Sequence, residues 1–129
     1  MNKIMSLQTF FESFDVPAFN QYTVPTEERM VEMGITPYPR ISYEPVFDSI
    51  GRINTITASI WDRSTGWDKV MGILSKMENK LSYGGEKANY DGGQIWLTKG
   101  TPWAQPMNDE DDTIRRVVVN IQVEYLSEV

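Results

Sequence analysis

IRRVVVNIQVEYL, residues 114–126, decides the fold, because apolar and polar side chains alternate more clearly here than elsewhere in the chain. A period of two places successive side chains on opposite faces of a β-strand. One face then carries Val117, Val119, Ile121, Val123 and Tyr125. A long strand with one apolar face predicts a sheet that covers a core on that face.

Other extended segments lie upstream of this strand. Residues 40–46 and residues 53–61 are predicted strands, and the second of them is rich in β-branched side chains. Residues 94–99 alternate as a further strand, and residues 100–102 turn the chain towards residues 103–106, which form a hairpin or an irregular arm. Together these segments predict a mainly antiparallel sheet of four to five strands.

Two segments carry apolar side chains at the three- and four-residue spacing of an amphipathic helix. They are residues 5–13 and residues 67–81. The second helix is predicted to start with a cap in which the Thr65 hydroxyl accepts from the amide of Asp68. Its buried stripe is predicted to contain Trp67, Val70, Met71, Leu74, Met77 and Leu81.

Proline dominates the segment between the first helix and the first strand. Residues 16–39 contain Pro17, Pro25, Pro37 and Pro39. Because proline lacks a backbone donor, this segment is predicted to be an extended arm, with one helical turn at residues 27–33. The predicted fold class is therefore α+β, with helices packed on one face of the sheet and an extended N-terminal arm.

The length of 129 residues predicts one domain. In this interpretation residues 1–129 form a single unit. Residues 1–39 supply the first helix and the arm, and residues 40–129 supply the sheet and the main helix.

Composition excludes several classes of function. The chain has no cysteine and no histidine, which removes disulfides, thiolate ligands and the commonest transition-metal ligand. A formal net charge of -6 disfavours broad contact with phosphate backbones. No apolar stretch is long enough for a secretory segment or a membrane span. We therefore expect a protein that is not exported, contacts no membrane, needs no cofactor or metal and has no catalytic residues.

Three motifs suggest ligands, but each has a simpler structural explanation. Residues 109–112, DEDD, suit calcium chemically, yet they lack the alternating ligands, central glycine and distal glutamate of an EF-hand. Gly84-Gly85 and Gly92-Gly93 lack the Lys-Ser/Thr that follows the glycines of a phosphate-binding loop. Arg115-Arg116 neutralises few phosphates. We predict an exposed acidic loop, a helix cap with a hairpin turn, and a solvated or salt-bridged arginine pair.

The four tryptophans are candidate binding residues, because aromatic faces stack on sugars, bases and protein side chains. Trp67 lies on the predicted helix stripe and Trp96 on a predicted strand, so both are assigned to the core. Trp61 and Trp103 remain as interface candidates. The predicted protein interface contains Trp61, Trp103, Met107, Asp109, Glu110, Asp111 and Asp112.

Four ordered segments cover most of the chain. They are FFESFDVPAFNQYTVP (residues 10–25), PYPRISYEP (37–45), ITASIWDRSTGWDKV (56–70) and GGQIWLTKGTPWAQPMNDEDDTIRRVVVNIQVEYL (92–126). They combine a Ser/Thr-Trp helix start with a Trp-Ala-Gln segment before an acidic loop. In this order and spacing, the chain resembles the tail terminator, or tail-completion, proteins of long-tailed bacteriophages, also described as minor capsid or head–tail joining proteins.

This resemblance implies a structural virion protein rather than an enzyme. It implies an α+β subunit that assembles with itself into a ring, commonly hexameric, on the finished tail tube. The ring stops tube growth and offers a joining face to the head connector. The implied partners are the tail tube protein and the head–tail connector protein, and DNA passes through without specific binding. The implied location is the tail–neck region of the virion, after assembly in the host cytoplasm.

A closed ring needs a heterologous contact between subunits. The arm and residues 103–113 are predicted to supply much of that contact, and carboxylates lining the lumen would repel passing DNA. Two alternatives stay open. One is another head–tail connector or a tail tube subunit, and the other is a non-viral protein- or carbohydrate-binding module with Trp61 and Trp103 as its platform.

Overall fold

The computed structural model describes residues 1–127. This part of the chain is mostly β, with 42% strand and 24% helix. The helices are α1 (Lys3–Glu12), α2 (Glu27–Glu32) and α3 (Asp68–Leu81). The strands are β1 (Ala18–Asn20), β2 (Arg40–Glu44), β3 (Ile53–Arg63), β4 (Glu86–Tyr90), β5 (Gly93–Met107) and β6 (Ile114–Ser127).

The six strands form one mixed sheet in the order β1-β2-β3-β6-β5-β4. β1 pairs with β2 in parallel, and the other neighbours are antiparallel. The sheet curls into a half-barrel. In β5 the register with β6 shifts between Lys99 and Ala104, and such irregularities bend a strand and increase its twist. A Cβ at Gly100 would lie 2.7 Å from the Asn120 carbonyl oxygen, so the close approach of the two strands requires glycine there.

The predicted fold class is wrong. The sheet has six strands instead of four to five, one pair is parallel, and the sheet is curled rather than a flat layer with helices packed on one face. The predicted extended arm contains a strand that was not expected, β1, whereas α2 lies at the helical turn predicted for residues 27–33. β1 is only three residues long, and no side chain of β4 is fully buried. Neither strand therefore carries the apolar alternation that marks a strand in sequence.

The centre of the sheet agrees with the prediction. β6 contains the predicted strand at residues 114–126, and its five predicted inward side chains are 0–2% exposed. β3 pairs with β6 along its full length, from Ile53 opposite Glu124 to Arg63 opposite Ile114. A strand rises about 3.3 Å per residue, so the two ends of this pair lie about 33 Å apart.

α1 contacts both edge strands of the half-barrel, β1 and β4. Gln8 Nε2 donates to the Ala18 carbonyl oxygen of β1 at 2.7 Å, and the Asp91 amide just after β4 donates to the Met1 carbonyl oxygen at 2.6 Å. Phe11 is fully buried and stacks on Tyr43 of β2, with ring centroids 4.5 Å apart. α1 therefore fills the gap between the edges and completes the core.

α3 supplies the second helical part of the core. Its buried side chains are Val70, Ile73, Leu74, Met77 and Leu81. Two predicted stripe residues do not belong to it, since Trp67 is 39% exposed and Met71 is 46% exposed. The predicted capping bond is also wrong. Trp67 occupies the N-cap position without a side-chain hydrogen bond, and the Thr65 carbonyl oxygen instead accepts from Arg115 at 3.0 Å.

Candidate protein-binding surfaces

The two ends of the β3–β6 pair carry different chemistry. At the end where Arg63 meets Ile114, charged and aromatic side chains collect, and we call this the charged end. At the end where Ile53 meets Glu124, large apolar side chains are exposed, and we call this the apolar end. Six of the seven predicted interface residues belong to the charged end, which is described first.

Three arginines and two aromatic rings alternate in one stack at the charged end. In order, the members of this arginine ladder are Arg63, Tyr38, Arg40, Trp61 and Arg116. The guanidinium carbons of Arg63 and Arg40 lie 5.1 and 4.5 Å from the Tyr38 ring centroid. Those of Arg40 and Arg116 lie 5.4 and 4.5 Å from the Trp61 centroid. All four distances are within the range of cation–π attraction.

Strand register brings these residues together from distant parts of the chain. Arg40, Trp61, Arg116 and Met107 are successive partners across β2, β3, β6 and β5. Partners directly opposite each other in a sheet point to the same face. Their chain neighbours Ile41, Ile60 and Val117 belong to the core. The ladder therefore lies on the outer face.

Two buried serines orient the ladder. Trp61 Nε1 donates to Ser42 Oγ at 3.0 Å, and Arg116 Nε donates to Ser59 Oγ at 3.1 Å. Ser42 and Ser59 are 5% and 4% exposed. Because these hydroxyls are held by the sheet, the indole and the guanidinium are positioned before any partner arrives.

Carboxylates neutralise only part of the ladder. Glu27 lies 3.9 Å from both Arg40 and Arg63, and Asp111 lies 3.1 Å from Arg63. Within residues 1–127, no carboxylate oxygen lies within 4.0 Å of Arg116. Three guanidinium groups therefore face two carboxylates, which leaves an excess positive charge on a chain of net charge -6.

Tyr38 connects the ladder to α2. Its hydroxyl donates to Glu27 Oε1 at 2.5 Å. Burial, followed by this hydrogen bond, raises the pKa of Tyr38 above its ordinary value. Glu27 is the first residue of α2, whose N-cap Thr26 accepts from the Arg29 amide at 3.2 Å. The helix α2, which lies in the segment predicted to be an arm, thus positions the Glu27 carboxylate beside Arg40 and Arg63.

The acidic loop, residues 108–113, connects β5 to β6 and is exposed at its four acidic positions, as predicted. Asp111 folds it, because its Oδ1 accepts from the Thr113 amide at 2.9 Å and from the Thr113 hydroxyl at 2.6 Å. These bonds, and then the bond from Arg63, hold the pKa of Asp111 below its ordinary value. Asp109, Glu110 and Asp112 form no ion pair within the part of the chain that the structure describes.

The other predicted aromatic and apolar residues are distributed differently. Met107 is 39% exposed and pairs with Arg116, so it borders the ladder. Trp103 is half-buried against the core beside the β5 irregularity. Trp96, assigned to the core, is 37% exposed. Its neighbours Ile95 and Leu97 are fully buried, so the same alternation already indicated that Trp96 points outward.

The apolar end is formed by the start of α1 and the loop between β2 and β3. Its exposed side chains are Ile4, Val46, Phe47 and Ile50, with exposed fractions of 43%, 39%, 45% and 58%. An open groove of about 610 Å³ runs between the two segments. The sequence interpretation missed this surface because it treated the residues between the predicted strands at 40–46 and 53–61 only as a turn between them. Large apolar side chains on both sides of such a turn were the available signal.

Tyr125 ties the apolar end to the core. Its hydroxyl donates to the Val46 carbonyl oxygen at 2.7 Å, and its own carbonyl oxygen accepts from the Gly51 amide at 2.9 Å. The Phe47 ring centroid lies 6.0 Å from that of Tyr125. The loop is thus attached to β6 on both sides of Phe47.

We expect Tyr125→Phe to weaken the alkaline loss of stability. Burial, followed by the nearby Tyr90, raises the pKa of Tyr125 from 10.0 to about 12. In the unfolded chain the Tyr125 hydroxyl ionises near pH 10, whereas in the folded chain it stays neutral to about pH 12. The stability that the neutral, buried hydroxyl contributes is therefore fully present below pH 10 and is lost as the pH rises towards 12. Two pH units correspond to roughly 3 kcal/mol. Urea unfolding at pH values from about 9 to 12 measures the slope, which the exposed control Tyr22→Phe should leave unchanged. An unchanged slope in Tyr125→Phe would contradict this account.

The longest helix among the described residues is α3, with 14 residues. No helix in residues 1–127 has the length and apolar character required to cross a bilayer. No protein-family model matches this chain, and no curated protein matches its sequence.

Proposed function

We propose that this protein is a structural, non-catalytic subunit that joins different proteins at its two ends, in the role of a bacteriophage tail terminator. The subunit assembles with itself into a hexameric ring on the tail tube, stops the growth of the tube and offers a joining face to the head connector. Its partners are the tail tube protein and the head–tail connector protein, and its location is the neck of the virion.

The difference between the two ends carries this proposal. A subunit that presents the same surfaces as the tube protein would extend the tube, whereas a cap must bind the tube on one side and refuse a further tube subunit on the other. The apolar end and the charged end meet that requirement, because they differ in chemistry and lie about 33 Å apart along β3.

The apolar end is the side that we assign to the tail tube. Permanent interfaces are more apolar than transient ones, and exposed patches of large apolar side chains mark sites where proteins associate. Phe47 and Ile50 supply such side chains on a loop held by Tyr125. The charged end, with Trp61, Met107 and the acidic loop, then faces the head connector.

A third exposed set supports contact between neighbouring subunits. Tyr22, Val31 and Met33, around α2, are 73%, 64% and 53% exposed. They belong to the segment that was predicted to be the arm. We assign them to one side of the heterologous contact that closes the ring.

Tube assembly tests the proposal directly. The purified protein is added to a polymerising tail tube protein, and tube lengths and ends are measured by electron microscopy. A terminator yields short tubes with a ring at one end, and the mean length falls as its concentration rises. Incorporation along the tube would indicate a tube subunit, and unchanged tubes together with binding to a glycan would indicate a carbohydrate-binding module.

A further inference from the structure

We propose that the arginine ladder is a carboxylate-binding site centred on Arg116, and that it docks an acidic segment of a partner protein. This inference concerns the chemistry of the partner at the charged end and does not depend on a ring or a tube.

Arg116 is held in position, but part of its hydrogen-bonding capacity is unused within residues 1–127. Its Nε is used by Ser59 and one face of its guanidinium covers Trp61. Within residues 1–127 its two terminal amino groups make no hydrogen bond. These groups present parallel N–H donors, which is the geometry that a carboxylate accepts in bidentate form.

The other two arginines of the ladder differ from Arg116 because each has a carboxylate partner in the same chain. Arg40 and Arg63 each have a carboxylate within 4.0 Å, supplied by Glu27 and Asp111. The loop of the same chain does not serve Arg116, because Asp111 is committed to Thr113 and Arg63. One further carboxylate would balance the ladder, and the chain supplies none in residues 1–127.

The surroundings favour an acidic protein segment over a nucleic acid. The ladder has an excess of one positive charge, and the exposed carboxylates of the acidic loop lie beside it. A polyphosphate would bring many charges towards that loop and would gain only one free arginine. A single carboxylate meets Arg116 without that repulsion.

Large apolar side chains flank Arg116 on both sides, so a bound segment would also contact apolar surface. Met107 lies opposite Arg116 across β5 and β6 and is 39% exposed, and the Trp61 ring lies on the other side of Arg116. Tryptophan and arginine are the residues most often found at the energetic centres of protein interfaces. The fitting segment therefore carries a glutamate or aspartate next to a large apolar side chain.

The probe for this site is the capped peptide Leu-Glu-Gln-Leu, which carries one carboxylate and is titrated at millimolar concentrations into the full chain. Nuclear magnetic resonance follows the Trp61 Nε1–H and Arg116 Nε–H signals. We expect both signals to shift with saturation, the shift to weaken at high salt, and the peptide Leu-Gln-Gln-Leu to have no effect. A ten-residue thymidine oligonucleotide is titrated in parallel.

Arg116→Gln is expected to weaken peptide binding about tenfold or more, because a charged hydrogen-bond pair is lost. Lys69→Gln is the matched control, since Lys69 is exposed on α3 and its loss changes the net charge equally. Arg116→Lys keeps the positive charge but loses the planar pair of N–H donors, so we expect most of the affinity for the peptide to be lost. Thermal unfolding of each variant checks that the fold is retained.

Equal peptide affinity in the wild-type protein and Arg116→Gln would overturn the proposal, as would the absence of peptide binding. Tighter binding of the oligonucleotide would overturn the choice of an acidic protein segment. Self-association that is lost when Asp109, Glu110 and Asp112 are neutralised would identify a second copy as the occupant and would also overturn that choice. None of these results depends on tube assembly, so the proposed function succeeds or fails separately.

Discussion

Replacing Phe11 by alanine is expected to lower the free energy of unfolding by about 3–5 kcal/mol, the usual cost of truncating a buried phenylalanine. Phe11 is 0% exposed, stacks on Tyr43 at 4.5 Å and meets the edge of Phe10 at 5.1 Å. It lies on α1, which fills the gap between the edge strands. Its truncation therefore leaves a cavity between α1 and the sheet and removes the packing of Phe11 on Tyr43.

Denaturant unfolding followed by circular dichroism measures this loss. Phe47→Ala is the control, because it removes the same side chain from a position that is 45% exposed, and we expect it to cost about 1 kcal/mol or less. A domain of this kind is stable by only about 5–15 kcal/mol, so Phe11→Ala should also lower the midpoint clearly. Equal losses in the two variants would contradict the role of α1 in the core.

The parts of the fold that sequence predicted are those with long, regular periodicity. β6 repeats its apolar pattern over many residues, and four of the six predicted stripe residues of α3 are buried, so at these positions local pattern and tertiary packing agree. β1 and β4 are edge strands whose positions depend on pairing with β2 and β5, not on their own side chains. Because the sequence interpretation did not include β1 and β4, the predicted sheet lacked the parallel pair and had too few strands.

The sequence indicated only part of the charged end. Trp61, Met107 and the acidic loop were named from residue type, whereas Arg63, Tyr38 and Arg40 were not named as site residues at all. The ladder was not predicted, because Arg40, Trp61 and Arg116 become neighbours only through the register of three strands. Arg116 in particular was interpreted as a solvated or salt-bridged residue, whereas it stacks on Trp61 and has no carboxylate partner in residues 1–127.

The apolar end was missed for a related reason. Val46, Phe47 and Ile50 lie in a loop, where periodicity carries no information about exposure. Tyr125 fixes that loop from a position 79 residues away from Val46 in the chain. Only the folded sheet shows that these side chains form one surface with Ile4 of α1.

That surface gives the largest functional effect that we expect, the loss of tube capping in the double variant Phe47→Ser with Ile50→Ser. Both side chains are 45% or more exposed, so polar replacements change the surface more than the core. Large apolar side chains that act as the central anchors of an interface contribute about 2 kcal/mol or more each. Losing two of them should raise the concentration needed for capping at least about 100-fold.

Tube length against added protein, measured by electron microscopy, tests this expectation. Met71→Ser is the matched control, because it removes an apolar side chain that is 46% exposed on α3, outside the apolar end. Arg116→Gln is a second control, since the charged end is assigned to the head connector and not to the tube. Unfolding midpoints near the wild-type value ensure that the double variant is folded. If that variant still shortens tubes at the wild-type concentration, the apolar end does not face the tube and the assignment of the two ends is wrong.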